Sequence, residues 1–256
     1  IKTFFDEGSN TFSYVVTDPD TKSAAIIDAV MEFDTISGRL TYQQADEIID
    51  YVNAEGLTIE WIIETHVHAD HLSGAPYLQD RLGGKIAISE HIQTVQDTFG
   101  KIFNEGTEFQ RDGSQFDRLF TDGDTYTIGN LNGMAMHTPG HTPACMVHVI
   151  GDAVFVGDTL FMPDAGSARA DFPGGDASVL YDSINRILAL PDEMRLFVCH
   201  DYGPNGRALA YETTIGEQRA LNIHVGGNAS KEDFVQMREA RDAQLGLPKL
   251  ILPSLQ

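Results

Sequence analysis

"ETHVHADHLSG", residues 64–74, places His66, His68, Asp70 and His71 within six positions, directly behind the apolar run "IEWIIE" at 59–64. A strand that runs into clustered imidazoles and a carboxylate reads as a metal-binding loop held at a strand end. Three further loops deliver the same residue types in the same way. His141 stands in "HTPGHT", 137–142, where Pro139-Gly140 forms a tight turn that presents the next side chain. Asp158 follows "VFVG", and His200 follows "RLFVC". Rigid strands behind such loops hold donors at fixed separations, as a metal site requires.

Five of the nine histidines fall in three of these loops, a concentration that scattered surface polarity does not produce. Histidine and aspartate suit zinc(II) or iron(II), and a ligand set without cysteine disfavours a structural zinc site. Seven donors are enough for two adjacent ions, with Asp158 either bridging them or serving one. The remaining histidines read differently. His91 starts a helix, His137 and His148 are hydrogen-bonded residues of strands, and His224 stays open.

The bulk properties narrow the partners. The 256 residues, 42% hydrophobic and 21% charged, suffice for one domain with a sizeable core. A net charge of -21 excludes a nucleic-acid partner, whose phosphates need a basic footprint. It also means that an anionic substrate must be met by a local arginine, lysine or metal. No apolar run approaches membrane-spanning length, and "IKTFFDEGSNTFSY" lacks the basic and apolar regions of a signal peptide. Cys145 and Cys199 lie in apolar runs and read as buried structural thiols, which fits a reducing compartment. The apolar tail "LGLPKLILPSLQ", 245–256, offers a packing surface to the domain or to a second copy.

Local patterns give the frame. Strands are expected at 12–18 and 23–29, joined by an Asp18-Pro19-Asp20 turn, and at 59–64 and 85–89. A helix over 41–57 has Thr41 and Gln44 at capping-box spacing and Ala45, Ile48, Ile49 and Val52 on one face. Helices near 75–82 and 91–103 follow. The second half gives strands at 132–138, 145–150, 153–157 and 195–200, a helix over 176–190, and closing helices around 213–222 and 231–243. Ser230 and Asp233 repeat the capping-box spacing. This alternation predicts an α/β fold, two sheets packed together with helices outside, in a single domain over 1–256 with a short helical extension from about 213.

The set "THVHADH", "TPGHT", "GDTLF" and "HDY" resembles the metallo-β-lactamase superfamily. The resemblance implies an αβ/βα four-layer sandwich, two mixed β-sheets flanked by helices, with the metal at one edge of the sheets. His68 departs from the flavodiiron branch, which carries a carboxylate there, and Asp158 departs from zinc β-lactamases, which often carry cysteine. Two branches remain: glyoxalase II, a binuclear thioester hydrolase, and the persulfide dioxygenases. "ARADFPGGD", 168–176, and "HDYGP" are similar to segments of the second, and the chain after His200 is short for the helical substrate domain of the first. "QRALN", 218–222, resembles both.

By this resemblance one iron(II) per chain is held by His66, His141 and Asp158, a triad that leaves coordination positions open, with zinc as a substitute. His68, Asp70, His71 and His200 then form the supporting shell or a second metal site. The implied partners are O2 and glutathione persulfide, or a similar low-molecular-weight persulfide, giving glutathione and sulfite. The alternative is hydrolysis of glutathione thioesters at two metals. Arg169, Arg219 and His224 are the groups expected to receive the substrate, and Tyr202 a hydrogen-bond donor beside the reacting atoms. The resemblance places such a protein in a bacterial cytoplasm or a mitochondrial matrix, and is compatible with a homodimer.

Overall fold

The computed structural model describes residues 1–106, 108–246, 248 and 250. Most of the apolar tail therefore lies outside the described residues. In chain order the elements are β1 (Lys2–Asp6), β2 (Thr11–Thr17), β3 (Ser23–Ile27), β4 (Val30–Asp34), β5 (Arg39–Thr41), α1 (Gln43–Glu55), β6 (Thr58–Ile63), β7 (Leu72–Ser73), α2 (Ala75–Leu82), β8 (Lys85–Ser89), α3 (Ile92–Ile102) and β9 (Arg118–Phe120). There follow β10 (Thr125–Ile128), β11 (Leu131–His137), β12 (Met146–Ile150), β13 (Ala153–Phe155), α4 (Ala177–Leu188), β14 (Arg195–Phe197), β15 (Glu212–Thr214), α5 (Ile215–Leu221) and α6 (Lys231–Asp242).

Two six-stranded sheets result, in the orders β1-β2-β3-β6-β8-β9 and β10-β11-β12-β13-β14-β15, with a small third sheet β5-β4-β7. Both large sheets are mixed. β3, β6, β8 and β9 run parallel, as do β13 and β14, while the other pairs are antiparallel. Their inner faces share one core, in which Tyr14, Ile27, Ile63 and Phe120 meet Met146, Phe155 and Phe197. The outer face of the first sheet buries Ile26 and Ile62 against Ile48, Val52 and Leu78 of α1 and α2. The second buries Val154 and Leu196 against Leu180 and Ile184 of α4 and Phe234 of α6. This is the expected four-layer sandwich. Its central layer reads in the sequence as unbroken apolar runs because those strands are covered on both faces.

Helix starts show what spacing alone can and cannot decide. Ser230 caps α6 by accepting from Asp233 N at 3.1 Å, as its spacing predicts. Thr41 caps nothing: it ends β5, and the N-terminus of α1 is closed by Glu32 of β4, whose carboxylate accepts from Gln43 N and Gln44 N at 3.0 and 2.9 Å. A charged group brought in by tertiary structure has displaced the local cap. Gln44 is instead buried, bonding Ser13 Oγ and Val30 N. The small sheet that supplies Glu32 has strands of five, three and two residues, too short to leave a period in the sequence.

Three of the secondary histidines sit as expected. His91 precedes α3 and stacks on His137 at 4.0 Å. His148 is fully buried on β12, its Nδ1 2.9 Å from the Tyr126 hydroxyl, and burial depresses its pKa to about 4. The unfolded chain therefore binds a proton below about pH 6.5 that the fold refuses until about pH 4, so this residue makes stability fall as pH drops through that window, by about 3 kcal/mol at the limit. His148→Gln should show a smaller fall in urea midpoint between pH 7 and pH 5 than the wild type. Equal falls would remove His148 from the acid response.

Candidate metal centre

The four ligand loops meet at one edge where the sheets are stitched together. Phe12 N donates to Cys199 O at 2.7 Å and Met146 N to Thr65 O at 2.8 Å, so backbone bonds cross from one sheet to the other beside the site. Two glycines let the loops turn in tightly. Gly140 has φ +134°, and a Cβ there would lie 2.4 Å from Leu180 N and Cα, so only glycine can sit before His141. Gly157, at φ +51°, would drive a Cβ to 2.4 Å from Thr65 Oγ1, and it precedes Asp158.

His66, His141 and Asp158 converge, with donor atoms all within 4.8 Å of one another. His66 Nε2 and His141 Nε2 stand 3.6 and 3.5 Å from Asp158 Oδ2. The protonation of the two rings follows from their far nitrogens. His141 Nδ1 donates to the Arg169 carbonyl at 2.8 Å, because a carbonyl can only accept. Thr65 Oγ1 donates to Asp28 Oδ2 at 2.8 Å, so toward His66 Nδ1, 3.0 Å away, it accepts. Both rings thus carry their proton on Nδ1 and turn a bare Nε2 lone pair on a carboxylate oxygen. Burial, with the neighbouring imidazoles, holds the His66 pKa well below the ordinary range, and burial lowers that of His141. Three acceptors facing one another in a buried site repel unless a cation lies between them, so the donor set fits a metal ion.

The other four expected residues adjoin this triad. His200 Nε2 lies 3.2 Å from Asp158 Oδ1 and 3.3 Å from Asp70 Oδ2, and its Nδ1 donates to Asn10 O at 3.1 Å. Burial acts to lower its pKa, but Asp158 and Asp70 raise it. His68, Asp70 and His71 form a second group of donors within 4.8 Å, and His71 Nδ1 donates to Leu72 O at 2.9 Å. His68 turns its Nε2 away from the triad to Glu64 Oε2 at 3.1 Å and Asp28 Oδ1 at 3.3 Å. Its Nδ1 is buried without a hydrogen-bond partner among the described residues.

A cleft of about 380 Å³ opens onto the triad. Phe161, Phe172 and Tyr202 line its walls. The Phe172 ring meets His141 edge-on at 5.0 Å, and the exposed Tyr202 ring lies nearly parallel to His200 at 6.2 Å. Tyr202 thus forms part of the cleft wall.

The three residues expected to receive substrate fare less well. Arg169 lines the cleft, but its guanidinium closes on Asp171 through bonds of 2.6 and 2.7 Å and donates to Gly246 O at 2.8 Å, so its charge is already matched. Arg219 is not among the residues that line the cleft. It pairs with Asp192 at 2.6 Å and donates to the carbonyls of Leu188 and Leu190 at the end of α4. His224 does not line the cleft either: it is buried and accepts at Nδ1 from Ser167 N at 2.9 Å.

Asp28, Glu64 and Thr65, which orient His66 and His68, escape motif reading. Asp28 nonetheless carried a signal, as an acid at the end of the apolar strand "SAAII", the placement that marks Asp158 and His200. Cys199 is buried against Asp28, its Sγ 3.8 Å from Oδ2, and burial raises its thiol pKa, so it remains a neutral structural group.

The chain belongs to the metallo-β-lactamase superfamily: the profile described as "Metallo-beta-lactamase superfamily" matches residues 6–200. It is a member with a His/Asp metal-binding cluster at the sheet edge. Among named relatives, a "Probable metallo-hydrolase" of Burkholderia pseudomallei is 52% identical over 100% of this chain and 90% of its own length. A "Beta-lactamase hydrolase-like protein" of Agrobacterium fabrum is also 52% identical over the whole chain, which spans 59% of that protein. "Glyoxylase B2" of Dictyostelium discoideum is 47% identical over 100% of this chain and 88% of its own. Human mitochondrial "Persulfide dioxygenase ETHE1" is 29% identical over 97% of this chain and 82% of its own. Among solved structures, ETHE1 from Myxococcus xanthus superposes with a TM-score of 0.77 at 31% identity, covering 99% of this chain and 95% of that one. No helix among the described residues is long and apolar enough to cross a membrane.

Proposed function

We propose that the protein is an iron(II) persulfide dioxygenase that converts glutathione persulfide, O2 and water to glutathione and sulfite, with His66, His141 and Asp158 as the metal ligands. One observation carries this reading. The segment "ARADF", which resembles persulfide dioxygenases, builds the triad directly: the Arg169 carbonyl fixes the His141 tautomer, and Phe172 packs on its ring. Similarity to the human and Myxococcus proteins supports it. Iron(II) held by these three residues would supply a redox centre for persulfide and O2.

The protein's own residues would do the rest. His200, whose Nε2 lies 3.2 Å from Asp158 Oδ1 and 3.3 Å from Asp70 Oδ2, would hold these two carboxylates in position beside the ion. Phe161 and Phe172 keep water from the floor of the cleft. Tyr202, whose hydroxyl has no protein partner among the described residues, is placed to donate to a sulfur or oxygen in the cleft.

A second reading, a binuclear thioester hydrolase, is favoured by the buried His68 Nδ1, a donor left without a partner beside Asp70 and His71. The higher identity to proteins named hydrolase and glyoxylase also supports it. Anaerobic purification with metal analysis separates the two. About one iron per chain, with O2 uptake on glutathione persulfide, is the expected result. Two metals per chain with oxygen-independent cleavage of a glutathione thioester would replace it with the hydrolase.

A further inference from the structure

We propose that Arg241, in the last turn of α6, receives a carboxylate of the substrate's thiol carrier, a small peptidic thiol such as glutathione. The assignment rests on the reading above only in placing an anionic thiol in this cleft.

The starting point is electrostatic. The chain carries 38 acidic against 17 basic residues, and the cleft floor presents Asp70 and Asp158. An anion entering it needs a cation that no protein carboxylate has already claimed. Three arginines line the cleft: Arg169, Arg238 and Arg241. The first is held by Asp171 and Gly246 O. Arg238 is buried, with Nε and Nη2 on Asp242 Oδ1 at 2.9 and 2.6 Å and Nη1 on Ser167 O at 3.1 Å. The Arg241 side chain is exposed and makes no hydrogen bond or ion pair among the described residues, although its charge acts on the buried His224. Among the described guanidinium groups lining the cleft it is the one that no carboxylate holds.

The helix end that carries it is anchored. Asp242 Oδ2 accepts from Ala170 N at 2.8 Å, and Arg238 bonds Ser167 O, so the end of α6 is tied to the strip 167–170. That strip holds His141 through the Arg169 carbonyl. Residues 238 and 241 are one turn apart on the same helix face, and both line the cleft. A guanidinium offers a carboxylate two parallel donors, a recognition that lysine cannot reproduce. The cleft, about 380 Å³, suits a tripeptide thiol better than a nucleotide-bearing one.

The test is calorimetric titration of the zinc-loaded protein with glutathione, for the wild type, Arg241→Ala, Arg241→Lys and Arg241→Glu. Arg241→Ala should weaken binding by about tenfold or more, Arg241→Lys by less and Arg241→Glu by more. Melting temperatures should stay within about 2 °C, because an exposed cation in a last helical turn contributes little to stability. Glutathione diethyl ester should bind the wild type and Arg241→Ala alike. Equal glutathione affinity in the wild type and Arg241→Ala would overturn the assignment, as would no binding to the wild type. Arg241-dependent binding of coenzyme A tighter than that of glutathione would move the site to a phosphate carrier and overturn it too. The titration involves no O2 and no turnover, so failure of the dioxygenase reading leaves its outcome intact, and the reverse holds.

Discussion

His141→Ala is expected to abolish measurable O2 uptake with glutathione persulfide and to lower iron affinity by more than about 100-fold, the upper range for losing even a residue that only orients a ligand. The size of the effect follows from the geometry. His141 is one of two neutral imidazoles whose Nε2 lone pairs face Asp158, and its far nitrogen is locked by the Arg169 carbonyl. Removing it leaves two protein donors and opens a hole beside Phe172 that water can enter. Alanine fits the backbone at 141, because the strained position is Gly140, so the fold should survive and the loss should be one of metal. Parallel iron analysis and O2 uptake check the expectation, and equal rates for variant and wild type would sink the ligand assignment.

The second large effect is at Asp28, which the cofactor would not touch. Asp28 is buried and accepts from Thr65 N at 2.7 Å, from Thr65 Oγ1 at 2.8 Å and, across 3.3 Å, from His68 Nε2. Burial acts to raise its pKa, but His68 and Thr65 hold it below the usual carboxylate value, so it is charged in the fold. Asp28→Ala would strand the Thr65 amide and leave His68 with one carboxylate instead of two. Breaking a buried ion pair from one side costs about 3–5 kcal/mol. The hydroxyl of Thr65 would also lose the acceptor that fixes its orientation toward His66, so iron affinity should fall by about 10- to 100-fold. Urea denaturation of the metal-free protein reads the first loss and metal titration the second. A stability change under 1 kcal/mol together with unchanged metal affinity would show that the Thr65–Asp28 relay does not orient His66.

What the sequence made legible was the part of the site in which chemistry and strand pattern coincide. His66, His141, Asp158 and His200 each stand in a loop just after a strand, and the structure brings all four to one edge of the sandwich. The four-layer architecture was legible for the same reason, since buried strands and amphipathic helices leave runs of predictable length. The cation assignments for substrate were not. Arg169 and Arg219 stood out by their motifs, but whether a guanidinium is free depends on acids contributed by other segments, here Asp171 and Asp192. Arg241 has no motif around it and is distinguished only by lacking a partner. Glu32 at the start of α1 makes the same point: an interaction between distant segments overrode Thr41, the local candidate.

The placement of the ligands on both sheets has a consequence for the life of the chain. His66 belongs to a loop of the first sheet, and His141, Asp158 and His200 to loops of the second, so an ion bound among them would act as a clasp across the two sheets. Folding free energy then includes binding free energy, growing with free metal as RT ln(1 + [M]/Kd). A chain without an ion would then be less stable than one that holds it. Protease susceptibility of the chain would then fall as metal is added.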